Sequence, residues 1–226
     1  MQAKWGMVGW VAAVAVVLLL VTTNVRATTN SLWLYEQLFD HNHVPGRTGI
    51  SMVELRHVGA TMQEYFASDT EPLVVFAEIN GISVSLFGPD EAAHMADVKK
   101  LFVKTFRVQV FSALVLAIAV AAAGYAQRRR ALSMVGTWLS RGSIIASAFI
   151  VIIGVASVVA FRQVFLLFHY IGFPEGNFTF STQTDYLVRI FPNGFWSDIT
   201  FVIGAMTLVE AALIWTAVRV ARRIWR

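Results

Sequence analysis

The chain has 226 residues, 57% hydrophobic and only 14% charged, with a formal net charge of +4. Soluble domains run at about 25% charged, so the composition is that of a membrane protein. The absence of cysteine excludes disulfides, thiolate metal sites and a cysteine nucleophile.

A bilayer core takes roughly 20 apolar residues as a helix. The first such stretch is 1–23, with the run WGMVGWVAAVAVVLLLVT. Its apolar core is longer than the roughly 7–15 residues of a cleaved leader, and only Lys4 precedes it. It reads as an uncleaved anchor.

Segment 24–107 is too long for a plain loop. Ser51 and Glu54 form a capping-box pattern, in which the serine accepts from a helix amide and the glutamate reaches back. Met52, Leu55, Val58, Met62, Tyr65 and Phe66 then recur at helical spacing, which predicts an amphipathic helix over 52–67 with His57 on its exposed side. Residues 73–87, LVVFAEI-NG-ISVSLF, predict a hairpin, because Asn80 and Gly81 both tolerate the positive φ of a type I′ turn. Folding there pairs Ile79 with Ile82, Ala77 with Val84 and Val75 with Leu86. Gly88-Pro89-Asp90 starts a helix expected to run into the second span, 108–126.

A basic loop, 127–142, follows, then the third span, 143–165. An aromatic interfacial loop, 166–198, leads to the fourth span, 199–218, and a basic tail, 219–226. Lys4, Arg128, Arg129, Arg130, Arg141, Arg219, Arg222, Arg223 and Arg226 make up half of the 18 basic residues, and no acid accompanies them. Positive charge near span ends marks the cytoplasmic side. Both termini and the 127–142 loop are therefore expected in the cytoplasm, with 24–107 and 166–198 outside. The expected fold is an α-helical membrane protein with four transmembrane helices and a small, thumb-like extracytoplasmic helix-plus-β-hairpin module between spans one and two.

Two histidines fall at the outer ends of spans. His94, Asp97, Val98 and Leu101 share a face of the helix leading into span two, with Lys99, Lys100 and Lys104 pointing elsewhere. A carboxylate one turn from an imidazole can orient it and raise its basicity; the bland alternative is a surface pair. His169 follows span three among Phe165, Phe168, Tyr170 and Phe173. An ionisable group at the end of a span is a functional candidate. If spans two and three are antiparallel neighbours, the two imidazoles meet. His41 and His43, near Asp40, are a weaker metal-site candidate, and Glu210 lies inside span four with no basic partner near it in sequence. There is no G-x-S-x-G, HExxH, P-loop or dinucleotide signature. On these residues alone an enzyme, a non-enzymatic membrane sensor or assembly module, and a metal-dependent membrane hydrolase using His41, His43, His94 or His169 all stay open.

H-M-x-D-V-K (His94 to Lys99), Phe168-His169 and D-Y-L-V-R-I-F-P-N-G-F-W (Asp185 to Trp196) resemble the lipoprotein intramolecular transacylase family, Lit. The likeness runs over nearly the whole chain and is loosest over 40–88; a tryptophan expected near Phe178 is missing. The resemblance implies an acyltransferase of the bacterial cell membrane. Such an enzyme moves the sn-2 acyl chain of a diacylated lipoprotein onto the α-amino group of the same cysteine, giving the lyso form. It implies His94 and His169 as catalytic residues; Asp97, one turn from His94, is our expected support for it. Lys99, Asp185 and Arg189 are expected to help bind substrate. No cofactor, metal or nucleic acid is implied; the partners are the lipoprotein and membrane lipid, and the protein is expected to be a monomer. Our expected division of labour makes His94 the base and His169 the acid and oxyanion partner.

Overall fold

The computed structural model describes residues 2–174 and 176–224. The chain folds as α1 (Gln2–Thr29), α2 (Leu32–His41), α3 (Val44–Thr48), α4 (Met52–Ala67), β1 (Phe76–Ile79), β2 (Ile82–Ser85), α5 (Pro89–Gln127), α6 (Ala131–Gly172), α7 (Tyr186–Ile190) and α8 (Asn193–Ile224). Among the described residues, three stretches are long and apolar enough to cross a membrane: Trp5–Thr29, Pro89–Gly172 and Asn193–Ile224. The middle one is two helices, α5 and α6, joined by a 3-10 turn at Arg128–Arg130.

The chain divides into two compact units. One comprises Met1–Arg26, Thr105–Val155 and Val202–Arg226. Its helices approach closely at small residues. A Cβ on Gly9 would lie 2.5 Å from Nε1 of Trp138, and one on Gly142 would lie 2.6 Å from Val16. Trp5 stacks on Trp138, with ring centroids 6.5 Å apart. Deeper along α1, Asn24 Nδ2 donates to Thr207 Oγ1 (3.0 Å) and to Glu210 Oε2 (2.8 Å) on α8. Gln109 on α5 donates to Thr23 Oγ1 at 2.9 Å. Polar side chains inside apolar helices are expensive unless bonded, so these contacts set the register of α1 against α5 and α8.

The other unit comprises Ala27–Lys104 and Ala156–Phe201. Ser31 caps α2 by accepting from the Leu34 amide, and Ser51 caps α4 by accepting from the Glu54 amide at 3.2 Å. Only half of the expected capping box forms. Glu54 does not reach back; its Oε2 accepts from the Glu78 amide of β1 at 2.9 Å, tying α4 to the hairpin. Leu55, Val58, Met62 and Tyr65 are buried on one side of α4, and Gly59 lets Leu32 of α2 come close on that helix.

The hairpin pairs Ile79 with Ile82, Ala77 with Val84 and Phe76 with Ser85. Asn80 (φ 55°) and Gly81 (φ 80°) make the turn. Only the base of its apolar face is covered: Leu73, Val75, Ala77 and Leu86 are buried, whereas Ile82 is exposed. A second core gathers Tyr35 and Phe39 of α2 with Phe191 and Phe195, in edge-to-face and stacked pairs with centroids 5.1–6.4 Å apart. The α6 backbone departs from helical angles at Ala160 (φ −150°, ψ 51°), nine residues before His169.

Candidate active site

His94 lies in the second turn of α5 and His169 in the last turn of α6, both outside the apolar stretches 108–126 and 143–165. The two rings face each other, with centroids 6.1 Å apart and planes 15° from parallel. Both residues are buried. The walls are aromatic. Phe173 lies 4.8 Å from the His94 ring and 5.3 Å from the His169 ring; Phe180 is 5.4 Å from His94, and Phe165 is 4.1 Å from His169. Phe178, where a tryptophan was expected, packs 5.3 Å from His169, so the loop after α6 closes one side of the site with a phenyl ring.

Burial in this apolar setting pushes both imidazole pKa values below the usual 6.5, and for His94 the nearby His169 acts in the same direction. Opposing this, Asn177 and then Asp97 favour the protonated form of His94. For His169 the opposing contact is the Phe165 carbonyl, 2.8 Å from Nδ1. A carbonyl oxygen only accepts, so the proton of neutral His169 sits on Nδ1 and its lone pair on Nε2.

Asp97 does not hydrogen-bond His94 directly. Its Oδ1 accepts from Lys100 (2.9 Å) and its Oδ2 from Asn177 Nδ2 (2.7 Å). Lys100 first, then Asn177, holds the Asp97 carboxyl below its ordinary range against the opposing effect of burial. Asn177 thus stands between the carboxylate and the imidazole. Its Oδ1 and the Nδ1 of His94 are both buried without a hydrogen-bond partner among the described residues. Glu91 is a second residue that sequence reading missed. Buried in the first turn of α5, it accepts from the Gly88 amide and from the Leu187 amide of α7, each at 2.7 Å. It fixes both the start of the helix carrying His94 and the segment after the aromatic loop.

A family description, lipoprotein intramolecular transacylase Lit, matches residues 10–196. The chain belongs to the Lit family. It is therefore an acyltransferase of an integral membrane family. The structure of Lit from Bacillus cereus superposes with a TM-score of 0.82 at 16% identity, covering 100% of both chains. Two variants of that protein, each with one histidine replaced, by arginine or by alanine, both give 0.77 at 16% identity, covering 100% of this chain and 96% and 97% of theirs. At this identity the likeness speaks for the fold. No curated protein sequence matches the chain.

The remaining candidates are held by contacts within the protein. Lys99, expected off the His94 face and as a substrate contact, is buried. Its ammonium donates to the Thr70 carbonyl at 2.8 Å, lies 3.5 Å from Glu71 and sits 4.2 Å over the Tyr65 ring. The reason is the long stem, which buries its methylenes and delivers the charge to a carbonyl at the foot of α4. Asp185 accepts from the Ser181 amide at 2.7 Å and from Thr184 Oγ1 at 2.8 Å. Arg189 donates to the Arg47 carbonyl at 3.2 Å and covers Tyr186. His41 lies 3.8 Å from Asp198, and His43 occupies the left-handed cap position of α3. Glu210 has a partner that sequence distance hid, Asn24.

Proposed function

We propose that the protein crosses the bacterial cell membrane four times, with both termini in the cytoplasm and the two histidines at the extracytoplasmic face. There, as a monomer, it transfers the sn-2 acyl chain of a lipoprotein's diacylglyceryl-cysteine to the α-amino group of that same cysteine. The observation that carries this reading is the convergence of His94 and His169 in one aromatic-walled site, in a chain that belongs to the Lit family.

The chemistry follows from the protonation states. Both imidazoles have lowered pKa values, so both are neutral bases at pH 7. The substrate amine has a pKa near about 8 and arrives mostly as an ammonium. Two protons must leave that nitrogen as the amide forms, and one must reach the departing glycerol oxygen; the second goes to solvent. His169, with its lone pair on Nε2, takes the ammonium proton and becomes the acid. The freed amine attacks the sn-2 ester carbonyl while His94 takes the second proton. The His169 imidazolium stabilises the oxyanion and protonates the oxygen as the ester C–O bond breaks. Asp97 supports His94 through Asn177.

Amine and ester belong to one molecule. The enzyme's task is to hold them in reacting geometry, which can contribute about 7–11 kcal/mol. No acyl-enzyme is required, in keeping with the lack of a nucleophile motif. The aromatic walls suit an apolar ester and keep water from the carbonyl.

The test is expression in a host that makes diacylated lipoproteins, followed by mass spectrometry of a lipoprotein's N-terminal peptide. The expected product has an acyl chain moved from glycerol to nitrogen at unchanged total mass. Loss of one acyl chain as free fatty acid would make the protein a hydrolase instead.

A further inference from the structure

We propose that a groove between α6 and α8 binds one anionic phospholipid, at the end of the helices that carries the 127–142 loop and the 219–226 tail. The groove holds about 290 Å³ and is lined by Ser143, Ile144, Ser147, Ala211, Ala212 and Trp215. All six belong to the unit that lacks the histidines, so the proposal rests on the protein being membrane-integral and not on the reaction.

Three observations specify the occupant. The first is an orphaned hydroxyl. Ser143 is 1% exposed, and its Oγ has no hydrogen-bond partner among the described residues. A buried unpaired hydroxyl costs about 1–3 kcal/mol, and Ser143 is one of the residues that line the groove. The second is depth. Trp215 lines the groove itself. At the same end of this unit Trp5 stacks on Trp138, and Trp10 lies under the Arg141 guanidinium. Tryptophans with arginines above them mark the membrane–water interface, the level of lipid glycerol and ester groups. An ester carbonyl is the acceptor Ser143 needs at that level.

The third is charge. Arg219 sits 4.0 Å over the Trp215 ring and makes no ion pair among the described residues. Neither 127–142 nor 219–226 contains an acid. The nearest carboxylate in sequence, Glu210, is turned to Asn24 on α1. Arg222 bridges the same two helices by donating to Thr137 Oγ1 at 2.8 Å. A phosphate above Trp215 would meet Arg219, the ester would meet Ser143, and an acyl chain would run along Ser147, Ala211 and Ala212. Free phosphate would leave the apolar part empty; a zwitterionic lipid would leave the cationic rim less well matched.

The experiment is native mass spectrometry of the full-length protein in detergent, titrated with dioleoyl-phosphatidylglycerol, dioleoyl-phosphatidylcholine or inorganic phosphate. One phosphatidylglycerol should be retained in preference to phosphatidylcholine by about fivefold, the effect of one well-placed arginine. Arg219→Gln should abolish that preference, and Ala212→Leu, which fills the groove, should remove the bound lipid of either kind. Both residues are exposed, so neither change disturbs buried packing. Equal retention of the two lipids by the wild-type protein, a preference that survives Arg219→Gln, lipid retained by Ala212→Leu, or displacement of phosphatidylglycerol by millimolar phosphate would each overturn the proposal.

Discussion

His94 and His169, 75 positions apart in the chain, present nearly parallel rings with centroids 6.1 Å apart. Groups at that spacing can reach the two sides of one ester. General acid–base catalysis contributes about 10²–10⁴-fold, so His94→Ala and His169→Ala should each lower turnover by that order while the protein still inserts and keeps its melting temperature within a few degrees. The double variant should lose little more than either single one, since the two rings act as a unit. Steady-state formation of lyso-lipoprotein by each variant is the readout. Two fully active single variants would end the mechanism.

The lowered imidazole pKa values give a specific pH signature. Between the histidine values and about pH 8 the rate should be level, and above about pH 8 it should fall, because the ammonium proton that His169 takes is then missing. Below the histidine values, which lie under 6.5, the slope of log kcat/KM should steepen towards two. The same shift makes a stability prediction. A folded-state value beneath the unfolded one means the unfolded chain binds the proton first as pH falls. The contribution of the neutral rings is therefore complete above about 6.5 and lost as pH drops through the folded values. The melting temperature should decline in that window, and less so in the His94→Ala protein.

Asn177 decides whether Asp97 matters to catalysis. It donates to Asp97 at 2.7 Å and lies against His94. A hydrogen bond to a charged group contributes about 1.5–3 kcal/mol, or about ten- to a hundredfold in rate. Asn177→Ala and Asp97→Asn should each lower kcat by that order with little change in KM, and the double variant should fall no further than the worse single one. Additive losses would mean that the two residues act separately.

The limits of sequence reading are visible in these same residues. The two histidines stand out because each is an ionisable group at the end of an apolar run, and the hairpin register follows from one Asn-Gly pair and period-two alternation. Asn177 was illegible. It sits in the irregular segment after α6, where neither period applies, and its role depends on a tertiary contact 80 residues distant. Glu54 fits a local capping rule, yet the amide of Glu78 wins its carboxylate. Helical phase puts Lys99 off the His94 face and no more, because phase says nothing of how far a long stem can reach. The family resemblance supplied the reaction, which no spacing in the chain encodes.

Lys99 separates a structural role from a substrate contact. It is 8% exposed and held by Thr70, Glu71 and the Tyr65 ring. Lys99→Met should lower stability by about 1–3 kcal/mol, because the Thr70 carbonyl loses its charged donor, and should leave KM near the wild-type value. Lys100→Met, at an exposed position on the same turn, should change stability by less than about 1 kcal/mol. A several-fold rise in KM for Lys99→Met without loss of stability would assign the ammonium to substrate instead.

Asn24 and Glu210 test how α1 is held against α8. Asn24 Nδ2 is a donor shared between Thr207 Oγ1 and Glu210 Oε2, so what it requires at position 210 is an acceptor. Glu210→Gln keeps an amide oxygen there and should be nearly neutral. Glu210→Leu removes the acceptor and should cost about 0.5–2 kcal/mol, the range for polar contacts between membrane helices. Asn24→Leu should cost the same, and Asn24→Leu with Glu210→Leu less than the two added together, because apolar partners leave no group unsatisfied. Thermal melting in one detergent, with salt held constant, measures all four. A Gln variant as unstable as the Leu variant would mean that the carboxylate's charge, and not its acceptor oxygen, is what the bundle uses.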